Sequence, residues 1–520
     1  MNKYKGNILF ALIFTIILLL PNFLANLWWE NYYIFTSKNT LKEILITFFI
    51  SLLISFAPKK QKLFWGLFFI GLNLIQIGYF GYFRTYTPPF QIDLIFSEYK
   101  DIMDSIKSII YLVIFLIFAL IVMLLLLNLF HHKTKPKSFK YTSLIIAALL
   151  VTLPFFMAKK RSVYMPNATH LGYLNSLFAL DLWIINKLTP KKHLKFKPYA
   201  VKKIDGGKPI VIMIMGESLN YKRMHLYGWD INDTPNLDKL KSDQNFAFKK
   251  AISGGVNTPV SIVTFFNVKR EPQNIDLILS QKTNLMKLAK ENNYTTYWLS
   301  MQEEGTSIST LLNYADIKKT RKDFKQKYDD ALINELKKIP FDKKTFVVLH
   351  LRVNHSPYEE YTPKKFYKWK FDYEDYHKYK TSSYYNSVLY ADYVISSIIN
   401  YMKTNHKNFV IYYTSDHSEM LGFKDEHGKY GHSQLVFGDT YVPFLYYSDA
   451  FHKDLNKSVY NHYQISKMLA QDLGYKIINP NEDNTYFING IQIDGSAGYI
   501  HYKIKKTKKG FKLKKIKDKR

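Results

Sequence analysis

Five apolar runs crowd into the first 160 residues, at about Asn7 to Leu27, Leu41 to Ala57, Leu63 to Phe83, Ile109 to Phe130 and Tyr141 to Met157. A soluble core would interrupt stretches of this length with polar faces, whereas a bilayer's hydrocarbon layer demands them. The second and fifth are short but passable for a span. Trp28, Trp29, Tyr32 and Tyr33, and the cluster from Tyr79 to Tyr86, sit beside the runs, where interfacial aromatic belts are expected. With the N-terminus inside, Lys3, Lys5, Lys59, Lys60, Lys62, Lys133, Lys135, Lys137 and Lys140 fall on the cytoplasmic side. The outer short loops hold Lys38, Lys42, Arg84, Lys100 and Lys107, so the bias has the sign of the positive-inside rule. Lys159, Lys160 and Arg161 argue mildly against it. The first run lacks a small-residue cleavage site and is read as retained. An odd number of spans exports everything after Met157, which predicts a multi-pass inner-membrane protein with a periplasmic domain.

Four divisions follow: a five-helix membrane domain over 1–157, a connecting segment over 158–208, a soluble domain over 209–500, and a basic tail over 501–520. Within the connector, Leu171 to Ile185 suits either a helix lying on the membrane surface or a buried helix of the soluble domain. In the tail, eleven of twenty residues are Lys or Arg, in part alternating with Ile, Phe and Leu. It reads as a solvated, fraying end or as a clamp on the membrane surface. The formal net charge of +30 draws the chain to anionic surfaces. Nucleic acid is disfavoured, because no nucleic-acid-binding signature is present and the lysines are scattered elsewhere. Zero cysteines exclude disulfides, a thiolate metal site and a cysteine nucleophile.

After the connector, short β-branched runs alternate with helical stretches. Pro209 to Met215, Thr295 to Leu299, Thr345 to Leu349 and Asn408 to Thr414 read as buried strands of a parallel α/β sheet. Ligands of such sheets sit at the carboxyl ends of strands. There the chain places Gly216-Glu217-Ser218, then His350 with His355, then Ser415-Asp416-His417-Ser418-Glu419, and later Gly431-His432-Ser433. Two carboxylates and a neutral imidazole around one point are what zinc prefers. Singly, each group is as well explained by a cap or a surface loop.

A nucleophile is offered between the first two strands by Gly254-Gly255-Val256-Asn257-Thr258-Pro259. The glycines permit close backbone approach, and Pro259 suits the first helical position, which makes Thr258 an N-cap. Either Thr258 only caps, or the same exposed N–H groups cradle a phosphate beside its hydroxyl. Zinc coordination would make such a hydroxyl reactive without a neighbouring base, and this ties Glu217, Thr258, Asp416 and His417 into one four-ligand site. His355 and His432 would face the substrate phosphate, as charge stabilisers, proton donors or ligands of a second metal.

Together with Arg223-Met224-His225-Leu226-Tyr227-Gly228, Thr234-Pro235-Asn236-Leu237, His355-Ser356-Pro357-Tyr358, Tyr385 to Asp392, and Val442-Pro443, these motifs resemble the phosphoethanolamine transferases of lipid A and lipopolysaccharide core. The resemblance runs from the first apolar run to about Gly474. It implies an alkaline-phosphatase-like αβα sandwich, with Glu217, Thr258, Asp416 and His417 matching the zinc ligands, Thr258 the nucleophile, and His355 and His432 substrate-side histidines. It implies transfer of phosphoethanolamine from phosphatidylethanolamine to lipid A or lipopolysaccharide through a phosphoethanolamine-threonine intermediate, by a monomer, with weaker binding of cationic peptides as the outcome. The chain departs from the family in lacking disulfides and in having Asp-His-Ser-Glu where Asp-His-Gly-Glu is usual. A phosphoglycerol transferase using phosphatidylglycerol is the alternative enzyme, and a non-catalytic protein binding envelope polymers the alternative class. A sulfatase would need a Cys or Ser in a Cys/Ser-x-Pro-x-Arg context, which is absent.

Overall fold

In a computed structural model of the chain, the described residues are 4–29, 32–92, 110–131, 141–159, 164–189, 195–303, 306–450, 453–507 and 510–516. The chain divides into two compact units, 1–191 and 192–520. The predicted loop cations Lys3, Lys100, Lys107, Lys133, Lys135, Lys137, Lys140, Lys160 and Arg161 lie outside the described residues.

The first unit is helical: α1 (Lys5–Trp28), α2 (Ser37–Ser55), α3 (Lys59–Phe83), α4 (Ile110–His131), α5 (Thr142–Lys159) and α6 (Gly172–Leu188). The first five stand where the apolar runs are. Among the described residues, α1 and α3 alone combine the length and apolarity needed to cross a membrane. Polar side chains turn inward between these helices: Thr15 donates to Ser51 at 3.2 Å and Asn22 to Asn73 Oδ1 at 3.0 Å. Such pairing fits helices whose outer surface is apolar. The helix of the connecting segment belongs here. Tyr173, Leu174 and Leu182 of α6 are buried, and Ser176 donates to the Leu72 carbonyl of α3 at 2.7 Å. It is therefore a packed helix of the helical unit, neither a free surface helix nor part of the soluble domain.

The second unit is built on an eight-stranded sheet. Its strands are β1 (Ile210–Gly216), β2 (Phe246–Ile252), β3 (Thr295–Ser300), β4 (Ile317–Lys319), β5 (Thr345–His350), β6 (Phe409–Ser415), β7 (Tyr441–Ser448) and β8 (Val459–Asn461), in the spatial order β8-β2-β7-β6-β1-β5-β3-β4. The four predicted strands are β1, β3, β5 and β6, and they pair in parallel with one another. The expectation of an all-parallel sheet is corrected by β7, which runs antiparallel to both β2 and β6. Pro443 lies in β7 and hides it in the sequence, since proline normally marks a break in a central strand. It is tolerated because it pairs only with Lys250 of β2, β6 joining from Phe444 onward.

Both faces of this sheet are covered, which is why its strands read as unbroken apolar runs. Ile212, Ile214, Val347, Leu349 and Ile411 pack to one side with Val388 and Ile395 of α8 (Tyr376–Asn405). Val211, Met213, Val348 and Val410 pack to the other with Ile262, Phe265 and Phe266 of α7 (Thr258–Phe266). The result is an α/β domain with a mixed sheet. The basic stretch from His501 is not frayed over its described residues, 501–507 and 510–516. It continues into β10 (Tyr499–Thr507) and β11 (Gly510–Lys515), a hairpin joined to β9 (Tyr486–Asn489), because Ile500 and Tyr502 bury their side chains at its root.

At the end of β1, a Cβ on Gly216 would overlap the ring and hydroxyl of buried Tyr413 in β6. Gly216→Ala is therefore expected to destabilise the second unit by about 1–3 kcal/mol, the usual cost of overpacking a filled core. Thermal unfolding of the purified chain would show it as a lowered midpoint.

Candidate metal and nucleophile site

Strands β6, β1, β5 and β3 are parallel neighbours, so their carboxyl ends lie along one edge. The chain leaves that edge through Glu217, Asp416-His417, Leu351 to His355, and Met301-Gln302. Ser218, directly after Glu217, takes a left-handed φ of 52°, which costs about 1–2 kcal/mol for a non-glycine residue. Its amide and that of His417 both donate to Asp416 Oδ1, at 3.2 and 2.7 Å. The turn that aims Glu217 thus also orients Asp416.

Glu217, Asp416 and His417 are fully buried, and one ligand atom of each lies within 4.8 Å of the others. His417 Nε2 is 3.3 Å from Glu217 Oε1 and 3.5 Å from Asp416 Oδ2. His417 Nδ1 lies 3.0 Å from the Ser418 carbonyl, which can only accept, so Nδ1 carries a proton and Nε2 is the atom turned toward the carboxylates. Thr258 Oγ1 donates to Glu217 Oε2 at 3.1 Å and lies 3.3 Å from His417 Nε2. All four singled-out residues are brought together.

The predicted N-cap shifts by one residue. Asn257 holds that position and Thr258 is already helical, with Pro259 following. The hydroxyl turns away from the helix's own N–H groups toward Glu217, so it does not cap. The approach predicted for the glycines is present at Gly255, where a Cβ would come within 3.0 Å of Val260 Cγ1 and 3.2 Å of the Ser261 nitrogen.

The charges explain what this cluster lacks. Burial and, after it, the Glu217 charge raise Asp416 to about 6. Burial opposes ionisation of His417, but Asp416 and Glu217 outweigh it and bring the ring up to about 10. Burial also opposes a charged Glu217, yet His417 holds it well below the usual carboxylate range. Two buried carboxylates against one imidazolium leave unbalanced negative charge, and Asp416 Oδ2 is buried without a hydrogen-bond partner. Two carboxylates, an imidazole and a hydroxyl fit a small dication such as zinc.

His355 and His432 stand beside this cluster rather than in it. The His432 ring lies 4.3 Å from that of His417 and 6.4 Å from that of His355. His432 Nδ1 lies 2.8 Å from Glu419 Oε2, and His355 Nδ1 donates to the Ser356 carbonyl at 2.6 Å. His350 does not join them: it is buried against Ser300, and burial lowers it to about 4.

Two residues escaped the sequence-based selection of site groups. Gln302 donates to Glu217 Oε2 at 2.9 Å and to the Leu351 carbonyl at 2.7 Å. It follows a predicted strand, and the strand-end rule alone would have found it, but an amide is not a metal-type ligand. Glu419 lay within a quoted motif without a role, and it accepts from Tyr358 at 2.8 Å as well as facing His432. The remaining motifs act as staples. Arg223 donates to Asp425 and Glu426 at 2.5 and 2.9 Å, tying the loop after β1 to the loop that carries His432. Asp392 of α8 accepts from the Asn236 and Leu237 amides at 3.0 and 2.7 Å.

The sulfatase family profile matches residues 209–475, and the chain belongs to this family. Among curated relatives, the chain is 28% identical over 256 residues to "Phosphoethanolamine transferase EptC" of Escherichia coli K12, a match covering 44% of this chain and 43% of the relative. It is 25% identical over 250 residues to "Kdo(2)-lipid A phosphoethanolamine 7''-transferase" of Salmonella typhimurium, covering 45% and 43%. The aligned stretch spans under half the length of these relatives. Among solved structures, the integral membrane lipooligosaccharide phosphoethanolamine transferase A of Neisseria meningitidis has a similar fold. The TM-score is 0.59 at 16% identity, covering 92% of this chain and 96% of that one.

Zinc added to chelator-stripped protein is expected to raise the unfolding midpoint, because a ligand of the native state stabilises it by mass action. Glu217→Gln should abolish most of that rise. Gln302→Ala, which frees a ligand's supporting hydrogen bond, should weaken zinc binding by about 10–100-fold. Scanning fluorimetry against zinc concentration reads both, and an unchanged titration in Glu217→Gln would place the metal elsewhere.

Proposed function

We propose that this chain is a membrane-anchored, zinc-dependent transferase that moves phosphoethanolamine from phosphatidylethanolamine to lipid A or another lipopolysaccharide acceptor. The observation that carries it is the Thr258 hydroxyl, 3.1 Å from Glu217 and 3.3 Å from His417 at a helix start, in a chain whose curated relatives bear that transferase name. Glu217, Asp416, His417 and Thr258 would hold the zinc. When bound, it would favour the ionised threonine hydroxyl and offset negative charge on a phosphate.

Glu217 Oε2 already accepts the Thr258 hydrogen bond and is the nearest acceptor for its proton. Thr258 Oγ1 forms the new bond to phosphorus, and the bond from phosphorus to the diacylglycerol oxygen breaks. That oxygen takes its proton from His432 or His355, which would enter the step as an imidazolium and leave it as a neutral imidazole. An acceptor oxygen then bonds to phosphorus as the bond from phosphorus to Thr258 Oγ1 breaks; a hydroxyl acceptor gives its proton to the neutral imidazole, and Thr258 takes its own back from Glu217. Partial exposure of Thr258 and His432 leaves both open to a substrate.

In this proposal α1 to α5 are five spans of a bacterial inner membrane and the second unit is periplasmic. The aromatic belts and the lysine bias of the short loops support that orientation. A bilayer-resident donor gives the anchor a chemical purpose, since it keeps the nucleophile near the headgroups.

Incubation with phosphatidylethanolamine is expected to add the mass of one phosphoethanolamine to a peptide containing Thr258, read by intact and peptide mass spectrometry. Thr258→Ala should leave the donor lipid unreacted, and full transfer by that variant would end the proposal. His432→Ala should slow transfer by about 10²–10⁴-fold, the usual contribution of a positioned proton donor. An adduct formed only from phosphatidylglycerol would make the enzyme a phosphoglycerol transferase.

A further inference from the structure

The β10–β11 hairpin takes no part in this chemistry, yet its strand register breaks a rule of sheet construction. Lys503 stands opposite Lys514 and Lys505 opposite Lys512, all four exposed on one face of the ribbon. Like charges directly opposed across an antiparallel pair destabilise it. Among the described residues no carboxylate comes within ion-pair distance of any of the four, so nothing within them offsets the repulsion. The opposite face pairs half-buried Ile504 with Leu513, and the ribbon is rooted by buried Tyr502. A local rule broken without a gain among the described residues points to a further partner.

The chemistry of the face selects that partner. It holds lysines with Thr507 and Gly510, and neither an arginine fork for bidentate grip of one phosphate nor an aromatic ring on which a base could stack. Lysines are compact charges on flexible stems, suited to many diffuse anions spread over a plane. The chain also carries two helices long and apolar enough to cross a membrane, which would hold the hairpin at a bilayer concentration far above that of free solute. We propose that this face docks on an anionic bilayer surface, engaging phospholipid phosphates through Lys503, Lys505, Lys512 and Lys514. The inference rests on the proposed membrane placement and is independent of the threonine chemistry.

The test uses the full chain in two nanodisc preparations: phosphatidylethanolamine with phosphatidylcholine, and the same with about 30 mol% phosphatidylglycerol, a strongly anionic surface. Amine-reactive labelling read by mass spectrometry follows the four lysines against exposed Lys343 and Lys407. In anionic discs their labelling is expected to fall by about fivefold, the ratio set by one lysine's attraction to such a surface. It should recover at about 0.5 M salt, where the Debye length is a few ångströms. Equal labelling in both discs, protection indifferent to salt, or protection only after lipopolysaccharide is added would each overturn the proposal. Replacing all four lysines with Gln should leave the ribbon folded, since repulsion is relieved, and should remove the enrichment of hairpin contacts in anionic discs by hydrogen exchange. Phosphoethanolamine transfer measured in the same discs separates failure of the docking from failure of the transferase assignment.

Discussion

Unbalanced negative charge, buried where four parallel strands end, organises the second unit. Glu217 and Asp416 follow adjacent strands β1 and β6, and each raises the cost of ionising the other where both side chains are buried. His417 offsets one charge. The rest of the surroundings then make sense as means of holding like charges together: two backbone amides on Asp416 Oδ1, Gln302 and Thr258 on Glu217 Oε2, and the left-handed turn at Ser218. The strain at Ser218 sits where a functional constraint would be expected to place it.

Around this centre the loops are tied to one another rather than only to the sheet. Tyr384 of α8 accepts from the Asn220 amide and donates to the Ser218 carbonyl, at 2.9 and 2.8 Å. Arg223 ties the same loop to Asp425 and Glu426. Glu419 links the Asp416-His417 turn to His432 and Tyr358. These connections hold the His417 imidazole 3.3 Å from the threonine hydroxyl and the His432 ring beside it. Preorganisation of this kind would suit the proposed transfer, which runs by positioning and charge.

Much of this was legible from strand ends. A run of β-branched residues followed by an acid or a histidine predicts a ligand at a carboxyl edge, and that rule picked out Glu217, Asp416 and His417, which the fold brings together, and His355, which stands beside them. It passed over Gln302 because an amide carries no charge to flag it, and over β7 because Pro443 reads as a break. The cap assignment slipped by one residue because Thr258 and Asn257 are both good caps in sequence. What separates them is where the hydroxyl finds its partner, and that partner is 41 positions away.

By itself the sequence determined which segments are apolar enough to leave water, which alternate as strand and helix, and which side chains can bear charge. Those properties are local, set by the periodicity and chemistry of neighbouring residues. Only the tertiary structure decided that β6 lies beside β1, that α6 packs on α3, that the last lysines oppose one another across a hairpin, and that Thr258 faces Glu217 rather than its own helix. Each of these is a contact between residues distant in the chain, and its energy depends on the whole core closing around it.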